Sequence, residues 1–138
     1  MKKILVLFMA ALLAGCAKAP INGVLDGMWQ LTRIEKADGS VSEQKNVFWA
    51  FQLHLMMLGD QRYYCRFTNS GGEMRIYDIA SGSSHVEGDD DKPITEAQLK
   101  DVAMYGLYRL DTTFKIERLD DDGMVLKSDD ARLTFRKY

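Results

Sequence analysis

The chain has 138 residues, of which 46% are hydrophobic and 28% charged, with 18 Lys and Arg against 20 Asp and Glu. That length supports one domain with a single apolar core, and a mildly acidic balance without a basic stripe argues against nucleic acid as a partner. Two cysteines, Cys16 and Cys65, are too few for a disulfide framework.

Lys2 and Lys3 precede an unbroken apolar run over residues 4–14. A charged start, a short apolar stretch and small residues read as a secretory signal, because a membrane-spanning helix needs about 20 residues. Leu13-Ala14-Gly15-Cys16 resembles the lipobox of bacterial lipoproteins. The resemblance implies a signal peptide over residues 1–15, cleaved to leave Cys16 as a diacylglyceryl-bearing first residue, with its freed amine open to a further acyl group such as palmitate. Two or more chains make such an anchor permanent, since each buried CH₂ contributes about 0.8 kcal/mol. Loss of Lys2 and Lys3 takes the formal net charge from −2 to −4. Residues 16–24 form a short tether of small residues with Pro20 and Gly23. No acidic residue directly follows Cys16, which favours a lipid-anchored place on the outer membrane of the cell envelope.

From residue 25 the pattern is one of short strands and turns. Residues 28–35 place Trp29 and Leu31 on one face with Ile34 out of phase, which predicts a bulge near Thr32. After the Ala37-Asp38-Gly39-Ser40 turn, residues 48–58 read as one long strand. Phe51, Leu53, Leu55 and Met57 alternate with Gln52, His54 and Met56. Gly59-Asp60 is a turn, residues 62–68 a strand, Asn69-Ser70-Gly71-Gly72 a hairpin turn and residues 74–80 a strand.

Residues 81–93 are polar and acidic and read as a long exposed loop. Thr95-Glu96-Ala97-Gln98 is a capping-box sequence opening one short helix to residue 105, with Gly106 as its stop. Strands resume weakly at 107–110, then at 113–119, 124–127 and 132–137, separated by the turns at 120–123 and 128–130. The fold class is all-β: an antiparallel meander of seven to eight strands with one short helix before the last strands, and a barrel is the closure that removes the sheet edges.

Two ends of the chain carry a family resemblance. Leu25-Asp26-Gly27-Met28-Trp29-Gln30-Leu31 resembles the Gly-x-Trp opening strand of lipocalin-like (calycin) domains, and Arg132-Leu133-Thr134-Phe135-Arg136-Lys137-Tyr138 their closing strand. The chain from residue 24 onward is similar to small lipocalin-like lipoproteins of Bacteroides-type bacteria. The resemblance implies a lipocalin-like β-barrel over residues 25–138, with Gly27 and Trp29 closing one end and either Arg136 or Lys137 laid over the indole. A cation there is worth about 0.5–2 kcal/mol. The helix falls before the last strands, whereas secreted lipocalins carry theirs after the eighth, so a cavity like theirs does not follow.

The residues offer little chemistry. His54, His85 and Cys65 are too few and too scattered for a zinc site, and no other metal or cofactor is indicated. Cys65 beside His54 reads better as a buried inert thiol than as a nucleophile. The Gly71-Gly72 pair joins strands and cradles no phosphate. Asp111-Thr112-Thr113 resembles a short O-glycosylation acceptor of Bacteroides-type bacteria but in so Asp-rich a chain reads better as an ordinary strand-entry turn. The chain therefore reads as a non-enzyme. Phe48 and Trp49 stand at the head of the long strand, a place for a barrel mouth. Two readings follow. In one, the barrel holds a small apolar or amphipathic ligand lined by Trp29, Phe51, Leu53, Leu55, Phe67, Ile76 and Phe114. In the other, a solid barrel acts as an interaction module for an envelope protein through the loop at 81–93 and the helix at 95–105.

Overall fold

The structure is a computed structural model that describes residues 21–59, 62–82 and 92–138. Residues 1–15 (read above as a signal peptide), Cys16, His85 and most of the acidic loop lie outside the described residues. A 3₁₀ turn, Gly23–Leu25, leads into ten strands: β1 (Gly27–Lys36), β2 (Val41–Glu43), β3 (Phe48–Gln52), β4 (Leu55–Leu58), β5 (Tyr63–Ser70), β6 (Glu73–Ser81), β7 (Lys92–Pro93), β8 (Thr112–Leu119), β9 (Gly123–Lys127) and β10 (Ala131–Lys137). Between β7 and β8 stands a one-turn helix, α1 (Leu99–Val102), flanked by 3₁₀ turns Glu96–Gln98 and Ala103–Tyr105.

Eight strands, β1-β3-β4-β5-β6-β8-β9-β10, follow one another as antiparallel neighbours, and β10 pairs back to β1. The sheet is thus closed. The two remaining strands pair along β1 and β6: β2 continues the β3 side of β1, and β7 lies beside β6 beyond the end of β8.

Three strands carry a register shift, each where the inward phase slips. On β1, Trp29 and Leu31 face in, and then Ile34; the shift falls between Leu31 and Arg33, the place the sequence predicts. On β6, Met74 and Ile76 face in and then Ile79; Asp78 takes φ +49°. On β8 the shift falls between Ile116 and Arg118. One extra residue per bulge lets each strand bend around the barrel while keeping apolar side chains inside.

The region read as one strand over 48–58 is a hairpin. Gln52 pairs with Leu55, so Leu53-His54 is the turn, with Leu53 at φ +54°. Paired positions across a two-residue turn have numbers of opposite parity, so the inward face passes from Trp49 and Phe51 to Met56 and Leu58. Leu53 and Leu55 are therefore 59% and 48% exposed, which corrects their expected place in the interior. Residues 107–110 form no strand, and β2 and β7 are strands that the sequence reading lacks.

Candidate functional site

Side chains fill the barrel interior. Trp29, Trp49, Phe51, Phe114, Leu31, Met56, Leu58, Met74, Ile76 and Met124 are all at most 2% exposed. Trp49 packs on Phe51, Phe114 and Phe135 with ring centroids 6.2, 6.0 and 4.8 Å away, and Phe51 meets Phe67 edge-on at 5.0 Å. An eight-strand barrel is just wide enough to be filled in this way. Of the residues expected to line a ligand space, Trp29, Phe51, Ile76 and Phe114 are buried in this core, and Phe67 is half-buried against it.

Both ends are plugged. At the end where the chain enters, Leu25 is fully buried and its carbonyl accepts the Trp29 indole N–H at 2.8 Å. Lys137 lays its ammonium 4.5 Å from the Trp29 ring centroid and donates to the carbonyls of Val24 and Asp26. Arg136 instead donates to Gln30 at 2.5 Å, so it is Lys137 that covers the indole. Gly27, at φ +112°, lies under that lysine: a Cβ there would stand 3.2 Å from the Lys137 Nζ.

At the other end, Val102, Tyr105 and Leu107 are buried, and the Tyr105 carbonyl accepts the Trp49 indole N–H at 3.0 Å. Trp49 belongs to the core and not to an open mouth. The helical segment that makes this plug opens with the Thr95 N–H bonded to Gln98 Oε1 at 2.9 Å, one arm of a capping box. It stops at Gly106, whose φ of +86° suits glycine and whose missing Cβ leaves room for Leu133.

Open space lies on the outer wall. The bulge at Asp78 sits where β6 has lost β8 as a neighbour and has not yet met β7. A cleft of about 380 Å³ adjoins it, lined by Leu55, Tyr64, Cys65, Arg66, Asp78, Ala80 and Pro93. A second of about 220 Å³ shares Asp78 and Pro93 and extends to Ile94, Leu110 and Asp111. Arg66 and Asp78 face each other across 3.9 Å with two-thirds of each side chain exposed. Asp111 is gripped by Arg75 through two bonds of 3.0 and 2.5 Å, which hold its carboxyl below the usual carboxylate range; Arg75 in turn lies 4.2 Å from the Tyr77 ring centroid. The first cleft thus combines an apolar floor with an exposed, loosely paired cation and anion. Nothing in the composition could have located it, because it arises from a bulge.

The candidate reactive groups are not assembled. Cys65 is 1% exposed, and burial pushes its thiol up to about 12, away from any thiolate at neutral pH. His54 is exposed in the β3–β4 turn. Among the described residues no group of three metal-ligating side chains converges. Thr112 is 6% exposed, and its buried hydroxyl has no hydrogen-bond partner, which leaves no room for a glycan on folded β8.

A closed eight-strand barrel whose Gly-x-Trp opening is capped by a cation from the last strand agrees with the family comparison, in which a lipocalin-like domain model matches residues 11–138. The chain belongs to the lipocalin-like domain family. Among solved structures it is similar to a lipocalin-like protein from Bacteroides uniformis ATCC 8492, at 25% identity and a TM-score of 0.59, over 84% of this chain and 100% of that one. An uncharacterized protein from Bacteroides eggerthii DSM 20697 shares the fold, at 23% identity and a TM-score of 0.58, over 83% of this chain and 99% of that one. No curated protein matches the chain.

Proposed function

We propose that this lipocalin-like protein is a lipid-anchored component of the bacterial envelope, held on the outer membrane through Cys16, that works through its outer surface as an interaction module for another envelope protein. The observation that carries this reading is the filled interior with a plug at each end. A ligand in the barrel would have to displace Trp49 or Phe114 from a core without space for both. The outer cleft beside Asp78 has an apolar floor and a paired cation and anion, features suited to a peptide segment bearing charged and apolar side chains.

The test is a photo-crosslinking residue at Arg66 in cells, with Thr113 on β8 as the control position. One specific protein captured from position 66 and not from 113 supports the reading. Native mass spectrometry of the purified protein supplies the opposite outcome: a small molecule retained in place of a protein partner would return the ligand-carrier reading. The anchor is tested by metabolic labelling with an alkyne analogue of palmitate, which the Cys16→Ser variant should lose.

A further inference from the structure

We infer that the barrel end beside the tether is a second, non-covalent membrane contact, an apolar rim that sits on the lipid surface with the tip of the β3–β4 hairpin as its leading edge. The inference rests on the anchor at Cys16 for its orientation, and on the barrel itself for the rim.

Exposed large apolar side chains are not spread evenly over the described residues. Six of eight, Ile21, Val24, Met28, Leu53, Leu55 and Tyr138, lie at the end where the chain enters β1 and leaves β10. The ladders fix this placement. Gly27 pairs with Phe51 and Gln52 with Leu55, so the β3–β4 turn rises beside the start of β1. Asn22 donates its side-chain amide to the Leu53 carbonyl at 2.8 Å and ties the turn to the entering chain. The Tyr138 N–H donates to the Met28 carbonyl at 3.0 Å and brings the last residue to the same end.

Leu53 is the most informative of them. A two-residue hairpin turn with a left-handed residue is ordinarily given to Gly, Asn or Asp. Here the position holds a leucine at φ +54° with 59% of its surface in solvent. Such a residue is unfavourable for the backbone and gains little from burial within the domain. A gain outside the domain, from burial in lipid, accounts for both facts.

The chain length commits the occupant. Four residues separate Cys16 from Ile21, and the five Cα-to-Cα steps span at most about 18 Å when fully extended. With Cys16 in the bilayer surface, the Ile21 end is the part of the barrel that reaches the lipid. The contact is apolar and not electrostatic. Asp26 and the turn of Asp120, Asp121 and Asp122 lie at this same end, with Arg118, Arg136 and Lys137 beside them, so that neither sign of charge dominates. A neutral surface therefore serves, and anionic lipid adds nothing.

The test uses the full mature lipoprotein in phosphatidylcholine vesicles. His54→Cys places an environment-sensitive fluorophore next to Leu53, and Asp129→Cys places one at the opposite end in the β9–β10 turn. Quenching by aqueous iodide at position 54 should fall about threefold on vesicles, as for a group entering the headgroup boundary, and remain unchanged at position 129. Adding Leu53→Asp to His54→Cys should restore quenching, while its circular dichroism reports whether the barrel is intact. Equal quenching at 54 with and without vesicles overturns the inference. The mass of the amino-terminal peptide decides separately whether Cys16 carries lipid. If it carries none, the envelope reading fails, and shielding at 54 at high vesicle concentration still decides the rim.

Discussion

Trp29 and Trp49 stand directly opposite each other on β1 and β3, yet their indole N–H groups are spent at opposite ends of the barrel, one on the Leu25 carbonyl and the other on that of Tyr105. Each tryptophan thereby fills the interior with its ring and fastens a plug with its polar edge. Burying an indole requires a partner for its donor, and the plug backbones supply both.

Removing one of these donors should loosen the corresponding plug. Trp49→Phe loses the bond to Tyr105 together with part of a ring packed on three phenylalanines, and should cost about 2–4 kcal/mol. Urea denaturation measures the cost. Hydrogen exchange should quicken first over residues 96–107, and a variant as stable as the parent would refute the plug.

The hairpin tip gives the opposite sign. Leu53→Gly removes the side chain from a left-handed position and should stabilise the isolated fold by about 1 kcal/mol. A rise in Tm of the detergent-solubilised protein is the expected reading, and a fall would show that Leu53 makes contacts that its exposure hides.

Cys65 should behave as a core residue. With its thiol pushed up to about 12 by burial, the native protein at pH 8 should resist an aromatic disulfide reagent over hours and react within seconds in urea. Rapid labelling of the native chain would reopen the question of a thiol function.

Acid should act on the β8–β9 turn. Asp120 accepts from Arg118 at 2.7 Å and from the backbone N–H groups of Asp122 and Gly123 at 2.9 Å, which together lower its carboxyl to about 2. Its folded value lies below its unfolded value near 4. The stabilisation it gives is therefore complete above about pH 4 and disappears as the pH falls through about 2. A carboxyl resonance titrating near pH 2, and a shallower acid limb of stability for Asp120→Asn, are the expected results.

Much of the barrel was legible because its signals are local. Gly27 and Trp29 mark the opening strand, the phase slip from Leu31 to Ile34 announces a bulge, and Gly71-Gly72, both with positive φ, make a hairpin turn. The β3–β4 turn was not legible. Residues 55–58 are Leu-Met-Met-Leu, apolar on both faces, so they fit either register, and Leu53-His54 carries no turn residue. A lining of Leu53 and Leu55 followed from that false continuity.

By itself the sequence determined an all-β meander with a late helix, since alternation, turn residues and capping depend on near neighbours along the chain, while the Trp29 closed end was what the family resemblance implied. Only the tertiary structure decided that the interior is filled and that a cleft opens beside Asp78. Each of these depends on how ring volumes from strands far apart in sequence add up inside one barrel, and on which side of a bulge a residue emerges. Alternation along a single strand encodes neither.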